Sequence, residues 1–295
     1  MRYLLLALPL LLANAEEAPI PPTVQAMLDA AIKSGNDGEV STIVKYAKAA
    51  DPASADKVAK IAAKWRADRT ASTEAKLRSA SFFELVKGRA EIGAYATTGN
   101  TRNVGLSGTL DVRREALHWR HKLRLQADYQ ESLGIVTREH YLASYEPNYK
   151  IDDRAYVYGA AQYESDRFLG YTDRISLSTG AGYSAIKRPG MKLDLELGPA
   201  FRHTNFTDST LESNVAARGS LDFNWKLNKA VSFSQDASAY LQSANSTVFS
   251  KSALAAKLFG PFSAQLSYTL QYESLPPEGR QSTDTTSRAS LVVDF

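Results

Sequence analysis

The sequence predicts an all-β antiparallel transmembrane barrel of about 12 strands, preceded by a small all-α segment. Three observations carry that reading. From Gly88 onward, apolar and polar residues alternate with period two, as in a strand that shows each face to a different environment. Turn residues interrupt the alternation every 10 to 15 residues, roughly the repeat of a membrane-crossing strand. On the apolar face, aromatic residues gather near the ends of the runs, the level at which Tyr and Trp meet lipid headgroups.

Residues 1–15 read as a secretory signal. Arg2 is the positive end, residues 4–12 are the apolar run and Ala13-Asn14-Ala15 is a small-x-small cleavage site. The run is too short to span a bilayer. Cleavage after Ala15 is expected, with the mature chain outside the cytoplasm. No later stretch is long and uncharged enough for a transmembrane helix.

The chain has no cysteine. That excludes a disulfide framework, a thiol nucleophile and a cysteine-bound metal. A closed hydrogen-bond ladder needs no such staple. The formal net charge of +3 says little about partners. The local excess is Lys57, Lys60, Lys64, Arg66 and Arg69. An exported chain without a basic-aromatic stripe is not expected to bind nucleic acid.

Residues 16–86 follow a helical period. Val24, Met27, Leu28, Ala31 and Ile32 share one helix face, and Gly35-Asn36 ends that helix. Val40, Ile43, Val44 and Ala47 form a second stripe. Asp51-Pro52 predicts an N-cap followed by proline at the first helical position. Val58, Ile61, Ala62 and Trp65 form a third stripe. The prediction is three short antiparallel helices in the periplasm, then a helical or extended linker over 71–85. The stripes are read as core, and the basic face of the third helix as solvated. A periplasmic or cell-wall partner for residues 22–85 is the alternative use of that face.

Residues 87–295 are the predicted barrel. Ala90, Ile92, Ala94 and Ala96 oppose Arg89, Glu91 and Tyr95 in the first run. Val104, Leu106, Leu110 and Val112 oppose Asn103, Ser107, Thr109, Asp111 and Arg113 in the second. The third is clearest: Leu117, Trp119, His121, Leu123, Leu125, Ala127 and Tyr129 alternate with charged and amide residues. Similar runs follow near 138–149, 154–165, 174–186, 191–203, 213–227, 230–242, 248–259, 262–273 and 285–295. Faces are least distinct at 138–149 and 248–259. Short turns are predicted at 115–116, 150–153, 187–190, 228–229 and 260–261. Longer connections are predicted at 131–137, 165–172, 204–212 and 274–284, with tight outer turns at 98–101 and 243–246. Short turns on the periplasmic side and longer loops outside are the order expected of such barrels.

The apolar face predicts a membrane girdle. Trp119, Tyr183, Trp225, Phe262 and Phe295 are expected at the periplasmic rim, and Tyr129, Tyr163, Phe201 and Tyr272 at the outer rim. The polar face is charged. Glu91, Asp111, Arg113, Arg120, Arg124, Asp128, Glu164, Asp194, Glu196, Arg202, Arg218, Asp222, Asp236 and Arg288 point inward by parity. A charge facing lipid at mid-depth would cost about 2–4 kcal/mol, so this face must meet water or partners. Two uses are open: a salt-bridged lumen that stiffens the wall, or a constriction that selects small polar or charged solutes.

The last run sets Leu291, Val293 and Phe295 two apart, and Phe295 ends the chain. This resembles bacterial outer-membrane barrels, whose final strand is read by the barrel-assembly machinery. A closer resemblance rests on Gly88-Arg89-Ala90-Glu91-Ile92-Gly93-Ala94-Tyr95-Ala96-Thr97-Thr98-Gly99-Asn100-Thr101, on Tyr149-Lys150-Ile151-Asp152-Asp153-Arg154, and on Tyr163-Glu164-Ser165-Asp166-Arg167. With Phe295, these make residues 88–295 similar to the DUF481 family, whose descriptive name refers to salt-induced outer-membrane proteins. The resemblance implies an outer-membrane barrel with no settled activity and no agreed catalytic residues; a monomer surrounded by outer-membrane lipid is expected. The resemblance does not extend to the helical segment.

An enzyme is weighed and not predicted. A membrane acyl hydrolase needs Ser and His side by side on the outer face near the rim, with an orienting polar group. Of the four histidines, His121 has Trp119 and Leu123 beside it, and His140 and His203 lie near outer strand ends. His203 with Thr204-Asn205 is the nearest approach, and it lacks the serine. No catalytic residue, metal or cofactor is predicted. The expected role is a narrow passive channel for small polar solutes or, as the family resemblance implies, envelope maintenance under osmotic stress. The alternatives are a non-conducting structural barrel with a periplasmic docking module, and an outer-membrane lipid hydrolase.

Overall fold

The computed structural model describes residues 19–97, 103–132, 134–243, 245–276 and 281–295. The expected signal at 1–15 and the Thr98-Gly99-Asn100-Thr101 turn lie outside the described residues, as does part of the turn at 243–246. The chain divides into two compact units between Ser79 and Ala80.

The first unit is helical. Helix α1 spans Pro22–Ser34, with proline in its first turn and Gly35 as a left-handed cap at φ 72°. Helix α2 spans Asp37–Ala50 and is capped by Asn36, whose Oδ1 accepts the Gly38 N–H at 3.0 Å. Helix α3 spans Ala55–Ser79. Here the sequence reading needs correcting. Asp51 closes α2, its N–H donating to the Ala47 carbonyl at 2.8 Å, and does not open α3. Ser54 supplies the first carbonyl, accepting the Val58 N–H at 3.0 Å. Nor is α3 short: its 25 residues take in most of the expected linker. Residues 71–79 include Ala, Glu, Lys, Leu and Arg, which favour helix wherever nothing stops it. A 3-10 turn at Phe83–Leu85 follows, within the second unit. The core of the first unit is Leu28, Ala31, Val40, Ala47, Val58 and Ala62, flanked by Ile43, Ile61 and Trp65. Among the described residues, no helix is long and apolar enough to cross a membrane.

The second unit is a closed antiparallel barrel of 12 strands. They are β1 Val86–Thr97, β2 Asn103–Glu115, β3 Trp119–Ser132 and β4 Ile135–Lys150. Next come β5 Ala155–Asp166, β6 Tyr171–Arg188, β7 Met191–Phe206 and β8 Leu211–Lys226. Last are β9 Val231–Leu241, β10 Thr247–Phe259, β11 Phe262–Glu273 and β12 Thr283–Asp294. Each strand pairs with its neighbours in sequence, and β1 pairs with β12 through Ala90↔Val293 and Ile92↔Leu291. Closure removes both sheet edges, so every strand has a hydrogen-bonding neighbour on each side. Phe295 completes the seam: its carbonyl accepts the Gly88 N–H at 2.7 Å, and its N–H donates to the Gly88 carbonyl at 2.9 Å.

The strands run further than the alternation suggested. The connection expected over 131–137 is a tight hairpin, since β3 continues to Ser132 and β4 starts at Ile135. That expected over 165–172 reduces to a 3-10 turn at Arg167–Leu169 and Gly170. That expected over 204–212 is the four-residue turn 207–210. Backbone pairing carries strands past the membrane level, where side chains need no alternation. Leu117 falls in the turn before β3 and not within the strand.

Two prolines inside strands, Pro147 of β4 and Pro199 of β7, accompany local gaps in the β4–β5 and β6–β7 ladders. Pro199 pairs with Ala217 of β8, but the β6–β7 ladder lapses between Ser178↔Ala200 and Ala181↔Leu197. Proline has no N–H to offer that neighbour. Gly180 and Gly198 face each other in this gap. A Cβ on Gly198 would lie 2.0 Å from the Thr179 carbonyl oxygen, and one on Gly180 2.2 Å from that of Leu197. Backbone atoms cannot turn aside as a side chain can. Gly198→Ala is therefore expected to cost about 1–3 kcal/mol, read as a lower urea midpoint for barrel unfolding. An unchanged midpoint would contradict the close approach.

Candidate functional site in the barrel lumen

Alternation sends one residue in two into the barrel. Twelve of the inward-predicted charges line one cavity of about 570 Å³: Asp111, Arg113, Arg124, Asp128, Glu164, Asp194, Glu196, Arg202, Arg218, Asp222, Asp236 and Arg288. Glu91 and Arg120 are buried beside it under their partners. The cavity lining runs from Lys87, Arg89 and Asp294 at the end where the chain enters β1 to Arg138, Arg174 and Glu273 at the other.

The charges meet across the lumen. Glu196 of β7 is the hub of the half nearer the entry of β1. It accepts Arg218 Nη1 at 3.0 Å, Ser220 Oγ at 2.7 Å, Tyr156 OH at 3.0 Å and Lys122 Nζ at 3.4 Å. Glu146 of β4 holds the same two cations, Lys122 at 2.7 Å and Arg218 at 3.3 Å. Beside them Asp194 takes Arg120 at 3.1 Å, Lys192 at 2.5 Å and Ser184 at 2.7 Å. Arg120 and Lys122 lie on β3, four places around the ring from β7. At mid-depth Arg124 grips both Asp111 oxygens, at 2.6 and 3.4 Å, and lies 3.9 Å from Asp236 of β9, directly across the barrel. In the other half Arg174 of β6 reaches Glu273 of β11 at 3.0 Å, and Arg288 of β12 reaches Asp128 of β3 at 2.6 Å. Lys251 of β10 reaches Glu91 of β1 at 2.9 Å. The lumen is therefore crossed by side chains at several depths.

Four inward arginines also stack on inward tyrosines. Arg120 sits 4.4 Å from the Tyr156 ring, Arg174 3.7 Å from Tyr171, Arg202 4.5 Å from Tyr240 and Arg218 5.0 Å from Tyr158. A guanidinium plane on an aromatic face is attractive, more so where water is excluded.

Several of these groups escaped the sequence reading. Arg174 and Glu273 sit at strand ends, and Arg174 follows directly on residues read as loop. Glu146 and Lys251 fall on the two runs with the least distinct faces. The four tyrosines were hidden by expecting aromatics on the lipid side only. Parity alone would have placed Tyr156 and Tyr158 inward with Glu164.

The girdle candidates lie on the outer surface, where Trp119, Tyr129, Tyr163, Tyr183, Phe201, Trp225, Tyr272 and Phe295 are exposed and Phe262 is half-buried against Phe259. Trp119, Trp225, Phe262 and Phe295 fall at or beside strand ends of one rim. Tyr268 is outward too, but at mid-strand. Between them runs an apolar belt that includes Ile92 and Val215, 72% and 76% exposed. In β12, Leu291 is exposed and Val293 half-buried on that same face.

One histidine needs correction. His203 does have a serine beside it: Ser213, directly opposite on β8, with Nδ1 and Oγ 2.8 Å apart. Both side chains face outward. Among the described residues, no hydrogen bond reaches the other ring nitrogen of His203, so the orienting member of a triad is missing. His121 bonds Tyr145 OH at 2.8 Å and stacks on Trp119. His140 bonds Asp128 inside the barrel at 3.2 Å.

Comparison with known proteins adds the family. The uncharacterized protein YdiY of Escherichia coli K12 is 27% identical over 208 residues, covering 70% of this chain and 81% of that protein. Two solved structures are similar in fold. The NanC porin has 13% identity and a TM-score of 0.43, covering 71% of this chain and 97% of its own. An outer-membrane channel from Pseudomonas putida F1 has 9% identity and a TM-score of 0.45, covering 71% of this chain and 95% of its own. Residues 90–295 match the model of the family described as "Protein of unknown function, DUF481", and the chain belongs to that family.

Proposed function

We propose that the chain is a non-enzymatic outer-membrane barrel that passes small polar and charged solutes passively through a narrow lumen. One observation carries this: a single charged cavity is lined by residues from one end of the barrel to the other, while side chains bridging the wall restrict its width. Fixed charges of both signs at close quarters select by size and charge without a dedicated gate. The apolar belt supports a lipid surround, with a monomer in the outer membrane and residues 22–85 on the periplasmic side. Leu291, Val293 and Phe295 are the proposed signal for the barrel-assembly machinery. A role under osmotic stress fits such a pore and stays with the family resemblance.

Planar-bilayer recording tests the channel. The purified full chain is expected to give small, stable conductance steps in potassium chloride. A folded barrel that never opens would end the channel reading and favour a structural barrel whose helical segment docks a cell-wall or periplasmic partner. A second reading, cleavage of membrane lipid, has the His203–Ser213 pair in its favour. It requires phospholipid hydrolysis by the purified protein that is lost in His203→Ala; the incomplete triad predicts none.

A further inference from the structure

Nearly every inward cation of the barrel has a carboxylate within ion-pair reach. Arg202 does not. Its side chain is 2% exposed, on β7 in the half of the lumen away from the entry of β1. Its Nη1 donates to Thr247 Oγ1 at 3.1 Å, a neutral partner. Its Nε has no hydrogen-bond partner among the described residues, and its plane rests on the Tyr240 ring. The nearby carboxylate of Glu273 is taken, accepting Arg174 on one oxygen at 3.0 Å and Asn245 on the other at 2.6 Å. Arg202 lines the 570 Å³ cavity.

The charges of Glu164 and Glu273 act on Arg202 only from beyond ion-pair distance, and a buried guanidinium with no carboxylate in direct contact is unfavourable. Arg is also the side chain whose Nε edge grips a planar carboxylate by two parallel hydrogen bonds. We propose that Arg202 is a binding subsite for the carboxylate of a small solute in the lumen. Thr247 and Tyr240 hold the guanidinium on two sides, and its Nε is buried and unpartnered at the cavity wall, where a solute carboxylate would meet it. Glu164 lines the same cavity without an ion pair within 4.0 Å among the described residues, and its charge acts on Arg202, so it offsets part of the guanidinium's pull and disfavours a dianion more than a monoanion. The site therefore fits a monocarboxylate, including the carboxylate end of a zwitterion. This deepens the channel reading and rests on it for its meaning, though binding is measurable without conduction.

The test is thermal unfolding of the full chain in detergent, titrated with sodium acetate and, separately, with sodium chloride at equal ionic strength. A ligand that binds only the folded barrel raises its midpoint. Acetate is expected to raise the wild-type midpoint above that in chloride. Arg202→Gln should weaken the acetate response roughly 10- to 150-fold, the equivalent of one charged hydrogen-bonding group. Arg202→Lys, which keeps charge but loses the fork, should fall between them. Arg154→Gln, in an exposed turn, should respond as wild type. Equal wild-type midpoints in acetate and chloride would overturn the proposal, as would an undiminished response in Arg202→Gln. Should the Gln variant not fold, the wild-type comparison and the Lys variant decide. Conductance without an acetate response would sink the subsite and leave the channel; an acetate response without conductance would do the reverse.

Discussion

Glu196→Ala is expected to destabilise the barrel by about 3 kcal/mol and to raise its conductance. Removing one member of a buried ion pair costs about 3–5 kcal/mol, because the partner is left buried without its counter-charge. Glu196 holds two cations, Lys122 and Arg218, with Tyr156 and Ser220 besides. The lower end of the range applies, since Glu146 still reaches both cations. The loss should be read from urea unfolding in detergent. The same change cuts the Lys122–Glu196 bridge between β3 and β7, leaving the Arg120–Asp194 bridge in place, so single-channel steps should grow. Glu146→Ala/Glu196→Ala should exceed the single variant in both respects, because it leaves Lys122 and Arg218 without a carboxylate at that level. A stable Glu196→Ala barrel with unchanged steps would mean that the cross-lumen bridges neither brace the wall nor limit the path.

Leu125→Arg is the second large effect. Leu125 is outward and exposed at the middle of β3. A guanidinium facing hydrocarbon at that depth costs about 2–4 kcal/mol. The neighbouring Gln126 is half-buried on the lumen side and bonds Asp128 at 2.7 Å. Gln126→Arg should therefore be tolerated far better, since a cation there meets Asp128 and water. Equilibrium folding into lipid vesicles measures both. Similar penalties at the two positions would argue against a hydrocarbon face.

Much of this fold was legible because a strand's two faces meet solvents of opposite character. Each β3 position could be assigned from its number alone. The strand count followed from the turn residues. Boundaries were less legible, since β6 begins at Tyr171, inside a stretch rich in Asp, Arg and Gly that reads as loop. The start of α3 is misread because Asp51-Pro52 imitates a cap, while the first helical carbonyl is that of Ser54.

The candidate site was half legible. Parity says that Glu196 points inward; it does not say that Lys122, 74 residues away, meets it there. That pairing depends on depth and on the order of strands around the ring. The His203–Ser213 pair is within reach of the sequence, because the two residues lie five positions either side of Asp208 at the centre of the hairpin. It was missed by ending the runs at those residues. The lack of an ion pair at Arg202 needed side-chain positions on three strands.

A barrel in a membrane requires that odd and even positions partition between lipid and a wet interior. Because the chain has no cysteine, single cysteines from 119 to 132 can each carry a spin label without background. The measurement is the label's collision rate with lipid-soluble oxygen and with a water-soluble nickel chelate, in lipid vesicles. Oxygen exposure should peak at Trp119, His121, Leu123, Leu125, Ala127 and Tyr129 and fall at each residue between them. A flat profile, or one with the period of a helix, would contradict the barrel in a membrane.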